Sequence, residues 1–383
     1  MNKQYLVGKV VVRMNTANPS LPKSDFANEA GIHTRVLKQF DDFEKLYGRD
    51  KDVMLFPYRY PVETINRVLN YGNYFPIDSL HIETTTRCNL KCPGCFRTGN
   101  EYDSKNRSMT MCDFERIVDS LPPVKNIGLQ GIGESTMNRD LPAMVRYAKE
   151  NTKAKLSIIT NALAKPLEYY EELFEIGLDN IVISVDSLNQ ETSNRLRTGT
   201  NVDRLKDNII FLADKYPKKI SLNTVVSKIN EKEIGDLFLE LIETGMHKNF
   251  LSHQLQPLID PPNYTNSEMS ASDQRCFYES MKEQIRGYYK KIDYNIKLHF
   301  HFVRPNIPCI QAFGTSYFTV DSHLTPCCSI VDKNDYSFGN LSGGNFSNSY
   351  LSENALNFRK QILHGIYPQA CKGCPSNQTE NEG

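Results

Sequence analysis

Between residues 79 and 258 short β-branched runs alternate with longer amphipathic runs, and this alternation constrains the fold more than any other feature. Six runs read as strands: 80–83, 126–130, 155–160, 180–186, 219–226 and 250–255. Between them lie helix candidates. One starts at Thr110-Met-Cys-Asp113 with a capping-box-like pattern, and others run over 138–150, 166–176, 202–216 and 231–244. Gly177 and Gly245 stand where helix C-terminal glycines belong. Strict βα alternation joins parallel strands by right-handed crossovers, so the expected class is α/β. Functional residues are then expected at the C-terminal strand ends and on the loops that follow.

The loop after the first strand carries Cys88-Asn-Leu-Lys-Cys92-Pro-Gly-Cys95. Three thiolates at this spacing can hold three irons of a 4Fe–4S cube, which in electron-transfer proteins normally has four protein thiolates. The next cysteine, Cys112, is 17 residues on, so the fourth iron is open to a small molecule. A zinc knuckle is the competing reading, and it normally wants four ligands. The pattern resembles the radical SAM superfamily, whose open iron is chelated by the amino and carboxylate groups of S-adenosylmethionine (SAM). That resemblance implies a partial (β/α)6 barrel, and six βα units agree with it.

Further motifs extend the resemblance. Leu129-Gln-Gly131-Ile-Gly133-Glu134-Ser135 resembles the family's glycine–glycine–glutamate–proline motif, which holds the methionyl amino group of SAM. It departs from the pattern through the inserted Ile132 and through Ser135 in place of proline. Thr160-Asn161-Ala162 resembles the family's Thr-Asn-Gly. Ser184 and Asp186 share one face of a strand end and resemble the polar pair that contacts the ribose and carboxylate of SAM. Arg197 resembles an arginine that pairs with that carboxylate. The plainer reading of each is a glycine turn or a helix cap. His81 and Glu83 share a face of the first strand, and Gln254 and Gln256 share a face of the sixth; either pair lines a substrate cavity or fills a core or solvent face. His299 and His301 read as the polar face of a strand rather than as metal ligands.

A second cysteine set, Cys309, Cys327, Cys371 and Cys374, has Cys328 beside Cys327 as an alternative ligand. It resembles the twitch/SPASM extension of radical SAM enzymes and leans to the smaller twitch form, which implies one auxiliary 4Fe–4S cluster. Zinc is the rival here too. Cys112 and Cys276 lack partners at ligand spacing and read as ordinary buried thiols.

The 383 residues allow a large domain plus a smaller one. The expected divisions are an N-terminal cap or recruiting segment at 1–78, the radical SAM core at 79–258 and a connector with helix and strand at 259–302. An auxiliary-cluster domain at 303–375 and a polar tail at 376–383 follow. In the N-terminal segment 40–47 and 62–69 read as short helices; in the connector 276–291 reads as a helix and 296–302 as a strand. The 45 basic and 45 acidic residues balance, which argues against a nucleic-acid or membrane-surface role. No run has the length of a membrane span, and the N-terminus lacks a secretory apolar region, so a cytoplasmic location is expected.

The resemblance implies an oxygen-sensitive enzyme reduced by a flavodoxin or ferredoxin. SAM is cleaved to methionine and a 5′-deoxyadenosyl radical that takes a hydrogen atom from the substrate. An auxiliary cluster would accept the second electron, which favours dehydrogenation of a small metabolite such as a sugar or cyclitol. A peptide or protein maturase making a thioether, a carbon–carbon crosslink or an epimerised residue is the alternative. An electron carrier or a zinc-stabilised binding protein is the non-enzyme reading.

Overall fold

The computed structural model describes residues 3–7, 10–14, 54–56, 79–98, 106–258, 297–301, 309, 311–341, 344–363 and 366–371. For 3–7, 10–14, 54–56 and 297–301 it describes the backbone. Thirteen strands occur among these residues. They are β1 (Lys3–Val7), β2 (Val10–Met14), β3 (Met54–Phe56), β4 (Ser79–Ile82), β5 (Asn126–Gly128), β6 (Lys155–Thr160) and β7 (Asn180–Ser184). Then come β8 (Ile220–Val226), β9 (Phe250–Pro257), β10 (Lys297–His301), β11 (Thr315–Phe318), β12 (His323–Thr325) and β13 (Gly339–Asn340).

β1 and β2 form an antiparallel pair, and the other eleven strands form one sheet in the order β13-β12-β11-β4-β5-β6-β7-β8-β9-β10-β3. From β11 to β3 every neighbour is parallel. The six strands expected from the alternation are its centre, β4 to β9. This is the open α/β sheet of a partial barrel. It continues past both edges of the expected barrel, with β10 and β3 beyond β9 and β11 to β13 beyond β4. A short strand such as β11 carries little period-2 signal. It pairs because β4 would otherwise present an unsatisfied edge.

Burial alternates along the strands. Leu80 and Ile82 of β4, Leu156 and Ile158 of β6, and Ile181 and Ile183 of β7 are fully buried under the helices. Their neighbours on the opposite face, such as His81, Ser157 and Val182, are half-buried. The helices cover the first face with apolar stripes at helical spacing. α1 (Met111–Ser120) buries Phe114, Ile117 and Val118; α2 (Leu141–Asn151) buries Leu141, Met144, Val145 and Ala148. α3 (Leu167–Glu175), α4 (Gln190–Leu196), α5 (Val202–Lys215) and α6 (Ile234–Glu243) follow in βα order. Each buried Leu or Ile contributes about 1.5–3 kcal/mol relative to exposure. Thr110 accepts the Asp113 N–H at 3.2 Å and donates to its carboxylate at 2.7 Å, so the expected cap at the start of α1 forms. Gly177 and Gly245 end α3 and α6 at φ +114° and +71°.

In the C-terminal part α7 (Gln311–Gly314) leads into β11, and α8 (Phe346–Tyr350) and α9 (Glu353–Leu363) follow β13. The helix expected at 276–291, both N-terminal helices and the polar tail lie outside the described residues. Cys112 departs from expectation: it is exposed on the solvent face of α1, where Arg116 Nη2 donates to its sulfur at 3.5 Å.

Candidate functional site

The loop that bears Cys88, Cys92 and Cys95 leaves the C-terminal end of β4 and is closed on itself. Arg97, buried, donates Nε–H to the Thr86 carbonyl at 2.6 Å and Nη2–H to Asn106 at 3.0 Å. The Leu90 N–H points at Cys88 Sγ (3.5 Å) and the Arg97 N–H at Cys95 Sγ (3.4 Å). All three thiols are half-buried and none is in a disulfide. Burial pushes the Cys92 thiol up to about 12, opposed by the nearby Arg197 guanidinium and reinforced by Cys95 and Cys88. Burial raises Cys88 in the same way. Such thiols stay protonated on their own, and a bound metal deprotonates them outright.

Two groups of side chains hold this loop from either side. The first is built on Glu134, at the end of the glycine loop after β5. Its Oε1 accepts from Thr136 Oγ1 (2.7 Å), Thr136 N–H (3.3 Å) and Thr160 Oγ1 (2.8 Å), and its Oε2 accepts the Asn161 N–H at 2.8 Å. Burial raises the Glu134 pKa, and these donors pull the other way. Asn161 Nδ2 in turn donates to Asn89 Oδ1 of the cysteine loop at 2.9 Å. Ala162, where the family pattern has glycine, sits at φ +56°. Gly133 packs so closely that a Cβ there would stand 2.3 Å from the Thr85 carbonyl and 2.6 Å from that of Arg87. The Glu134 N–H donates to the same Arg87 carbonyl at 2.7 Å.

The second group is built on Asp186. Arg197 donates Nε–H to its Oδ2 at 2.6 Å and Nη2–H to its Oδ1 at 3.3 Å, and the Val225 N–H reaches Oδ1 at 2.8 Å. Burial alone would lower the Arg197 pKa, but Asp186 and Cys92 hold it above its ordinary value. The Lys91 N–H bonds the Thr198 carbonyl at 3.1 Å, so the cysteine loop is tied here as well. Ser184 stands in register with Asn223 of β8, and Asn223 with Gln254 of β9. Asn223 Oδ1 is buried with no hydrogen-bond partner among the described residues.

The structure therefore brings Gly133, Glu134, Thr160 and Asn161 together on one side of the cysteine loop, and Asp186 and Arg197 on the other. Asn89 and Asn230 were missed in the sequence. Asn230, fully buried, donates to the Asp186 carbonyl at 2.8 Å and the Val225 carbonyl at 2.9 Å, fixing the end of β7 against β8. Its only signal was a lone Asn before a helix, which is common. His81 is held neutral by burial, with a pKa of about 4, and meets Gln130 at 3.4 Å.

In the C-terminal part Cys309, Cys327 and Cys371 are half-buried against the hydrophobic core, and Cys328 is exposed. Cys374 lies outside the described residues. Among the described residues no three His, Cys, Asp or Glu side chains gather closely enough to hold a single metal ion. A cube makes a looser demand, because each thiolate ligates its own iron. The donor set at 88–95 fits such a cluster: three free thiols, backbone N–H groups aimed at two of the sulfurs, and a glycine loop with no room for a side chain at Gly133.

Residues 82–241 match the family model of the radical SAM superfamily, so this stretch of the chain is a radical SAM domain. The superfamily implies a 4Fe–4S cluster and SAM as its cofactors. The chain is 26% identical over 316 residues to the tungsten-containing aldehyde ferredoxin oxidoreductase cofactor-modifying protein of Pyrococcus furiosus, covering 77% of this chain and 86% of that one. A probable GTP 3′,8-cyclase of Methanococcus aeolicus is 27% identical over 260 residues, with 66% and 85% covered. Among solved structures, Streptococcus suis SuiB bound to S-adenosylmethionine superposes with a TM-score of 0.62 at 17% identity, over 94% of this chain and 89% of SuiB. SuiB bound to its precursor peptide SuiA gives 0.61 at 18% identity, over 91% and 75%. At these identities the structural likeness carries the fold. No helix among the described residues is long and apolar enough to cross a membrane.

Proposed function

We propose that this chain is a radical SAM oxidoreductase of the twitch/SPASM type that modifies a peptide or protein. The observation that carries the oxidoreductase reading is the parallel pairing of β11 with β4, which joins the cysteine-bearing C-terminal segment to the strand that launches the cluster loop. When bound, the cluster and SAM supply reductive cleavage of the sulfonium and a radical able to take a hydrogen atom from a C–H bond. Cys88, Cys92 and Cys95 would hold the cluster. Gly131, Gly133 and Glu134 would shape the bed for the methionyl amino group. The Glu134 carboxylate already accepts four hydrogen bonds, so in this reading it acts by fixing the backbone around it and joining Thr160 and Asn161 to the loop. Asp186 holds Arg197 in a two-point ion pair beside Cys92, and Arg197 with Ser184 would receive the SAM carboxylate. Cys309, Cys327 or Cys328, Cys371 and Cys374 would hold the auxiliary cluster, which would supply an acceptor for the second electron. The reductant would be a flavodoxin or ferredoxin.

The peptide or protein substrate is supported by the likeness to SuiB over most of the chain, since SuiB is solved with a precursor peptide. Dehydrogenation of a small hydroxyl-bearing metabolite is the second reading. It is favoured by the polar row Ser184, Asn223 and Gln254 with its unpartnered buried amide oxygen. The test is iron and sulfide per chain on anaerobically reconstituted protein, with EPR after reduction, with and without SAM. About eight irons and one signal that shifts with SAM are expected. About four irons with the same shift would remove the auxiliary cluster, and zinc in place of iron would remove the radical chemistry.

A further inference from the structure

Glu83 follows β4 and is 1% exposed. Its carboxylate accepts two backbone N–H groups from segments far apart in the chain. Oε1 takes the Ile132 N–H at 3.1 Å, and Oε2 takes the Val320 N–H at 2.9 Å. Ile132 lies inside the glycine loop between Gly131 and Gly133, and its carbonyl faces Cys95 Sγ at 3.9 Å. Gly131 is pressed onto the Glu83 side chain, where a Cβ would stand 2.4 Å from Glu83 Cγ. Val320 sits in the turn between β11 and β12, which the Ser322 N–H closes onto the Thr319 carbonyl at 2.9 Å. One side chain therefore bridges the C-terminal part and the loop beside the cluster cysteines. Nearby, Asp321 of the same turn meets Arg107 at 3.1 Å, which holds the turn against the segment that follows the cysteine loop.

We propose that Glu83 is a positioning residue through which the β11–β12 turn sets the glycine loop for SAM. A carboxylate can accept both N–H groups at once. A carboxamide accepts one and turns its own NH2 toward the other, so the loop and the turn cannot both keep their places. Disturbance of the C-terminal part thus reaches the SAM site along one short path of backbone N–H, carboxylate and backbone N–H. This inference rests on the reading of residues 131–134 as a SAM bed.

The experiment is equilibrium binding of radiolabelled SAM to the anaerobically reconstituted full chain, with the SAM-induced EPR shift as a second readout. Five variants are compared at equal iron content: Glu83→Gln, Val320→Pro, the combination of these two, Val320→Ala and Gly133→Ala. Val320 is the second residue of its turn, a position that accepts proline, so Val320→Pro deletes the donor to Glu83. Val320→Ala trims the side chain and keeps that donor. Glu83→Gln and Val320→Pro are expected to weaken SAM binding about tenfold each, their combination to weaken it by less than the product, and Val320→Ala to bind as wild type. Normal affinity in Val320→Pro beside a weakened Gly133→Ala overturns the bridge and leaves the SAM bed standing. Equal losses in Val320→Ala and Val320→Pro also overturn it, because packing alone would then explain the effect. Normal affinity in Gly133→Ala removes the SAM bed and the bridge with it.

Discussion

His253 is fully buried on the helix-facing side of β9, against the Phe238 ring at 5.1 Å. Thr224 Oγ1 donates to the Val185 carbonyl at 2.6 Å and meets His253 Nε2 at 2.8 Å. The one hydroxyl hydrogen is committed to Val185, so Nε2 carries the imidazole proton. Nδ1 is buried without a hydrogen-bond partner among the described residues. Burial lowers the His253 pKa from 6.5 to about 3. The unfolded chain therefore binds a proton between these values that the folded chain refuses, and stability falls as pH drops below 6.5. The loss at pH 5 is about 2 kcal/mol. His253→Gln, which keeps a donor for Thr224, is expected to flatten the denaturant-unfolding profile between pH 6.5 and 4; an unchanged slope would disprove this assignment. At this scale the sequence was legible where a residue belongs to a local pattern. Cys88, Cys92, Cys95, Thr160 and Asn161 announce themselves by spacing. His253 does not, because its partners come from β8 and α6.

The elements were legible for the same reason. Apolar periodicity marked β4 to β9 and α1, α2, α3, α5 and α6 within a few residues, since each buries one face against a common core; the seven-residue α4 was not read. β11, β12 and β13 were not read as strands, because four, three and two residues are too few to show a period. They pack against α7 and α8, which α9 ties together. Arg359, buried on α9, donates to the Ala312 carbonyl of α7 at 2.8 Å and to the Tyr350 carbonyl of α8 at 2.7 Å. Its guanidinium lies 3.8 Å from the Tyr350 ring centroid. One side chain thus joins three helices close to Cys309. Arg359→Leu is expected to destabilise the protein by about 2–4 kcal/mol, because it strands two carbonyls and removes a stacked cation. Thermal unfolding measures this, and a loss below about 1 kcal/mol would show that the helices hold without it.

Across the whole molecule, the division expected near residue 303 does not coincide with a break in the sheet. β11 completes the edge of β4, and β10 and β3 extend the other edge, so segments assigned by sequence to cap, connector and C-terminal domain share one set of hydrogen-bonded strands. The sequence could not reveal this, because pairings between distant segments leave no local trace. A chain ended at residue 308 is expected to aggregate, since β4 would present an open parallel edge and Glu83 a buried carboxyl short of one donor. A soluble, monodisperse product on gel filtration would disprove that dependence. The same arrangement has a consequence for the birth of the protein. Glu83 and Val320 are 237 residues apart, and a ribosome adding about 5–20 residues per second takes roughly 10–50 s to cover that distance. The strand that launches the cysteine loop is thus among the first of the sheet to be made and among the last to find its second neighbour, β11. During that interval its cysteines are exposed to oxidants and stray metals, so iron loading after chain release should outperform loading during synthesis.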